Sequence, residues 1–264
     1  MIEHSHTAHV GPPQFLPASA RNSWGRLDTP LKLSTDPFDP DRIEHLPAPV
    51  RRWLRHAIAP GTPLRFGVRV AMHGTIRIGR WMPFTATQII TPGGYIWAAT
   101  AGRFPLQVTG FDRYSDNTGE MQWRLLRRIP VVTTSGLDVT RSAAGRLASE
   151  MVGLLPSGAL APGVTWHGID EDRAIATVVT GAFTHQVTID VDDRGSLRQA
   201  FLPRWGSPDK GPFQEHLFGV ECERETTFDG YTLPASIGAG WWFGSDRWSD
   251  GEFFRCEIDR AEFF

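Results

Sequence analysis

From Pro63 onward the sequence is written in short runs of alternating apolar and polar residues, each closed by glycine, proline, asparagine or aspartate. A period of two puts successive side chains on opposite faces of an extended chain, so these runs read as half-buried β-strands. Phe66, Val68, Val70 and Met72 alternate with Arg65, Gly67, Arg69 and Ala71, and HGTIRIGRW, PFTATQII, GYIWAAT, FPLQVTGF and GEMQWRLL follow. Adjacent antiparallel pairing is the economical arrangement. In Phe228 to Tyr231 (FDGY) the Asp-Gly pair tolerates the positive φ of a two-residue type I′ turn, which makes LFGVECERETTF and YTLPASIGAGWWF hairpin partners. In the first of these, Glu221, Glu223 and Glu225 are expected to face water, opposite Val220, Cys222, Arg224 and Thr226.

Two segments change to helical spacing. Val50, Trp53, Leu54, Ala57 and Ile58 form one apolar stripe that ends at Pro60 and Gly61, with Arg51, Arg52 and Arg55 turned away. Such a basic amphipathic helix is expected to pack on the sheet; peripheral membrane contact through the helix around Trp53 is the alternative use. In SGLDVTRSAAGRLASEMVGLLP, Ala143, Ala144, Leu147, Met151 and Leu154 recur on one face, and Arg146 and Glu150 stand one turn apart, able to pair. Strands then resume with GVTWHGI, RAIATVVT, FTHQVTIDV and SLRQAFLPRW. Helices and strands do not alternate, which argues against a parallel sheet. The expected fold is mainly β: a large bent antiparallel sheet or open β-barrel, with one N-terminal and one midway helix packed on its concave side. Residues 1–35 lack an apolar period and read as a flexible N-terminal arm, leaving 36–264 as a single β-rich domain.

The chain of 264 residues carries 27 Lys and Arg against 29 Asp and Glu, a balance that argues against nucleic acid as a partner. Met1 to Pro13 has no secretory pattern and no apolar run is long enough to span a bilayer, so a cytoplasmic location is expected. Cys222 and Cys256 form no CxxC and read as small buried thiols. His4, His6 and His9 have no acidic or thiol companion, and no metal is expected there.

Searches for a phosphate loop, a zinc helix, a nucleophile elbow and a dinucleotide fingerprint find nothing, so no catalytic residue and no cofactor are assigned. Ten tryptophans are many for this length, and most fall on strands. They either fill a solid core or line an apolar cavity. Trp97, Trp123 and Trp241 are the first candidates for cavity lining because each continues an apolar alternate face. Arg204 and Trp205 end a strand where an arginine could hold a carboxylate or phosphate, and Arg224, on the apolar phase of its strand, needs a counter-charge or a ligand. Binding of a hydrophobic or amphipathic small molecule such as a lipid or fatty acid is therefore the first expectation. An isomerase- or cyclase-type enzyme using Glu120, Glu150 or Glu252 in the same cavity is the second, and a cavity-free protein acting through a partner surface is the third.

The segments LPAPVRRWL (46–54), GTIRIGRWMPFTATQ (74–88), YIWAA (95–99), RSAAGRLASEMVGLLP (141–156), RWG (204–206) and GEFFR (251–255) together resemble a family of bacterial proteins described only as a domain of unknown function. That resemblance brings no activity and no catalytic residue. The layout of leading helix, meandering strands and midway helix is similar to the half-barrel of the periplasmic lipoprotein carrier and related lipid-binding proteins. This implies a curved sheet around an apolar space, although the chain departs from a periplasmic shuttle in showing no export signal.

Overall fold

The computed structural model describes residues 9–30 and 36–264. From the middle of the sheet β1 (Val68–Ile78), β2 (Arg80–Thr91), β3 (Gly94–Ala101), β4 (Val108–Ser115), β5 (Thr118–Leu125) and β6 (Ile129–Ser135) step outward to one edge. From the opposite edge β7 (Val164–Gly168), β8 (Arg173–Thr180), β9 (Phe183–Val191), β10 (Leu197–Gly206), β11 (Gln214–Phe228), β12 (Tyr231–Trp241) and β13 (Glu252–Phe263) step back to the middle. There β13 pairs antiparallel with β1, Val68 opposite Phe263 and Ile76 opposite Phe254. The thirteen strands among the described residues thus form one antiparallel sheet curled into a half-barrel.

Helix α3 (Leu137–Gly153) connects the two edges, leaving after β6 and delivering the chain to β7. Its 17 residues extend roughly 25 Å, enough to lie across the concave face. Ala143, Ala144, Leu147 and Met151 face the sheet and are buried, as the spacing of this segment requires. Helix α2 (Ala48–Ala57) buries Val50, Trp53, Leu54 and Ala57 beside β9 and β12. The Trp53 indole meets Trp166 at a centroid separation of 6.1 Å and is 2% exposed, so membrane contact through Trp53 is corrected: an indole inside the core cannot enter a bilayer. Arg52 is not a water-facing charge either. It donates to the carbonyls of Asp192 (2.8 Å), Val191 and Glu171 (3.1 Å each) and to the Asp172 carboxylate (2.8 Å), fastening α2 to the strand ends.

The flexible-arm reading of residues 1–35 is corrected where the chain is described. Helix α1 (Ala18–Leu27) packs Ala20 and Trp24, with Leu16 just before it, on Ile89, Ile96, Ala98 and Phe111. These sheet residues point away from α3, so α1 covers the convex side. This second cover explains why β3, GYIWAATA, is buried on both faces and reads as a continuous apolar run rather than an alternation. His4 and His6 lie outside the described residues, and His9 contacts Glu262 at 2.8 Å. The FDGY turn is as expected: Phe228 pairs with Tyr231, and Asp229 and Gly230 have φ of 49° and 87°.

Candidate functional site

Between the concave face and α3 lies a cavity of about 460 Å³, within the size range of small-molecule sites. Two aromatic groups wall it. On one side Trp97 meets Trp123 and Phe254 at 5.8 Å each, and Phe84 stacks on Phe254 at 5.1 Å. On the other side Phe218 meets Trp241 edge-on at 5.2 Å. Glycines make room for two of the three indoles. Gly110 stands directly opposite Trp123 in the β4–β5 register, and a Cβ there would come within 2.4 Å of the indole; Gly206 leaves the same space for Trp241. The free thiols Cys222 and Cys256 complete the apolar lining, and burial pushes each thiol up to about 12, which keeps both neutral.

Against this apolar lining stands one polar cluster. Arg146 on α3 donates through Nε to Glu150 (2.7 Å) and through a terminal nitrogen to Asp112 on β4 (3.3 Å), while its guanidinium lies over Tyr95 at 4.6 Å. Gln88, on the inward face of β2, donates to the other Glu150 oxygen at 2.7 Å, and Trp123 Nε1 donates to Asp112 at 3.3 Å. Burial raises the Asp112 pKa, with Arg146 and the indole N–H opposing it.

Arg204 on β10 is placed differently. Its Nε donates to the Ser142 carbonyl at 3.1 Å, and its guanidinium packs over Phe218 (4.6 Å) and Trp241 (5.1 Å). No carboxylate pairs with it among the described residues. Burial, reinforced by the like charge of Arg146, lowers its pKa to about 10, which leaves it cationic at neutral pH. Gly145 of α3 admits it: a Cβ there would stand 3.3 Å from Arg204 Cγ and 3.4 Å from His185 Cε1.

Trp97, Trp123, Trp241 and Arg204 therefore line one cavity. Trp205 and Arg224 do not. Successive strand residues alternate in direction, so with Arg204 turned into the cavity Trp205 is not, and it donates instead to Asp138 (2.8 Å) under the Arg141 guanidinium (3.9 Å) at the start of α3. Arg224 is two residues beyond inward-facing Cys222, but irregularities on both sides of Arg224 break the alternation and turn it out to pair with Glu257. Glu120 and Glu252 serve ion pairs with Arg113 and Arg255, and only Glu150 of the three glutamates reaches the cavity. Sequence reasoning passed over Asp112, Gln88 and the inward role of Arg146. The available signal was a polar residue on an apolar phase: Gln88 stands between Ala86 and Ile90 on the buried face of β2.

A model of a family of unknown function (DUF6544) matches residues 36–253. No curated protein matches the chain. Among solved structures, a LolA superfamily protein from Nitrosomonas europaea is similar at 13% identity and a TM-score of 0.42, over 82% of this chain and 92% of that one. A putative outer membrane lipoprotein-sorting protein domain from Vibrio parahaemolyticus is similar at 9% identity and a TM-score of 0.38, over 75% and 85% of the two chains.

Proposed function

Because this chain belongs to DUF6544, a family described without a function, we propose from the site itself that it binds an amphipathic small molecule with an anionic head and an apolar body. One observation carries the proposal: Arg204 is a cation at the wall of an apolar cavity, with aromatic faces beneath it and no carboxylate partner among the described residues. A desolvated guanidinium is costly unless a counter-charge meets it, and a carboxylate or phosphate can do so through two parallel hydrogen bonds. The aromatic walls then receive the apolar body, where removal from water contributes roughly 25 cal/mol per Å². Fatty acids and lipid-like acids have this division of polarity.

A binding role fits the carboxylates better than a catalytic one. A general acid or base needs a carboxyl that is free to exchange a proton with a substrate. Asp112 and Glu150 instead share Arg146, and Gln88 and Trp123 occupy further acceptor sites on them.

Native mass spectrometry of gently purified protein, followed by solvent extraction, tests the proposal. The expected result is an acidic amphiphile at near-stoichiometric occupancy, displaced by added fatty acid. A protein that emerges empty and does not titrate with parinaric acid, a fluorescent fatty acid, has no such function.

A further inference from the structure

The turns joining β1 to β2, β3 to β4 and β5 to β6 lie at one end of the half-barrel and are tied side by side: Gly102 donates to the Pro83 carbonyl at 2.8 Å and Leu126 to the Gln107 carbonyl at 2.9 Å. This rim carries large apolar side chains exposed to solvent, of which Trp81 lies under the guanidinium groups of Arg77 and Arg255. Phe104 is 88% exposed and Leu106 is 62% exposed, and Trp81, Leu126 and Ile129 are exposed beside them. Isolated exposed apolar residues are ordinary, but a contiguous group on neighbouring turns marks a surface that meets something apolar. The backbone favours this display. Leu126 and Arg127 both hold left-handed conformations, φ 51° and 62°, an arrangement disfavoured for side-chain-bearing residues.

The charge on the same turns is of one sign. Arg80, Arg103, Arg124, Arg127 and Arg128 are exposed, and among the described residues none of them forms an ion pair. No aspartate or glutamate occurs in 77–82, 101–108 or 124–131. Arg77 is the exception to this freedom, since it donates to the carbonyls of Ser249 and Asp250. Apolar tips ringed by unpaired arginines match the anionic headgroup layer of a bilayer: the side chains enter the acyl boundary while the guanidinium groups meet phosphates. The cavity reaches the same rim, because Ile78, Val108 and Val131 belong to its lining.

We infer that this rim docks on anionic membrane surfaces and sets the mouth of the cavity against the lipid. The surface differs from the α2 face, and docking through it does not require an anionic head in the cavity. The test is co-sedimentation with phosphatidylcholine vesicles with and without phosphatidylglycerol, on the full chain. The wild type should bind the anionic vesicles and be released by salt. A Phe104→Ser/Leu106→Ser variant and an Arg103→Glu/Arg127→Glu/Arg128→Glu variant should each bind at least about tenfold more weakly. Arg21→Glu/Arg194→Glu/Arg198→Glu, an equal charge change elsewhere, should lose much less. Parinaric acid titration in vesicle-free solution should be unchanged in the Phe104/Leu106 variant, which separates failure of docking from failure of the cavity. No binding to anionic vesicles, or equal loss in the rim and control charge variants, overturns the inference.

Discussion

Arg146 and Asp112 meet at 3.3 Å across the cavity, one from the midway helix and the other from β4, 34 positions apart in the chain. With Glu150 on the same guanidinium, three charged groups are held within the apolar interior, each less than a fifth exposed. Removing one member of such a cluster leaves the others desolvated without compensation.

Arg146→Met should therefore destabilise the fold by about 3 kcal/mol, and the further changes Asp112→Asn and Glu150→Gln should recover much of that loss. Urea unfolding of the single and triple variants checks this. An equally unstable triple variant would mean that packing, not charge, explains the loss.

Arg204→Met should weaken parinaric acid binding about 10- to 100-fold, the range for losing hydrogen bonds to a charged group. The affinity for a fatty alcohol of the same chain length should change little. Fluorescence titration of both probes measures the contrast, and equal losses would remove Arg204 as the head anchor.

Trp97→Ala and Trp123→Ala should both weaken binding of the apolar body. Trp123→Phe keeps most of the contact area but removes the donor to Asp112, so it should lower stability by about 1 to 3 kcal/mol while leaving affinity closer to wild type. Calorimetry of binding and chemical unfolding separate the two effects.

Leu147→Ala should cost about 2 to 5 kcal/mol, because Leu147 is fully buried between α3 and the sheet. A near-neutral effect in denaturant unfolding would contradict the packing of α3.

His185 provides a pH test. Burial first, then Arg141 and Arg204, push its pKa from 6.5 down to about 4. The unfolded chain therefore binds this proton more readily than the native one, so stability is present above pH 6.5 and is lost as pH falls towards about 4. The loss is no more than about 3 kcal/mol. His185→Gln should flatten this acid limb of the stability curve, measured by denaturant midpoints across that window.

Local patterns wrote most of the architecture into the sequence. The alternation from Phe66 to Met72, the Asp229-Gly230 turn and the stripes through Trp53 and Leu147 each depend on neighbours a few residues away, and each is present as read. Helix α1 had a weaker signal, because Leu16, Ala20 and Trp24 share a face but are set among polar residues. Inward placement of Trp97, Trp123 and Trp241 also followed from phase, whereas Arg204 stood out only by its position at a strand end. The same rule failed at Arg224, where irregular pairing with β12 altered the phase, and it could not keep Arg204 and Trp205 on one face. Only the tertiary structure brought Asp112, Gln88, Arg146 and Glu150 together or gathered three separate turns into one basic, apolar rim. Strand periodicity and turn chemistry act over a few residues, whereas those meetings depend on sheet curvature, strand register and the path of α3 between the two edges.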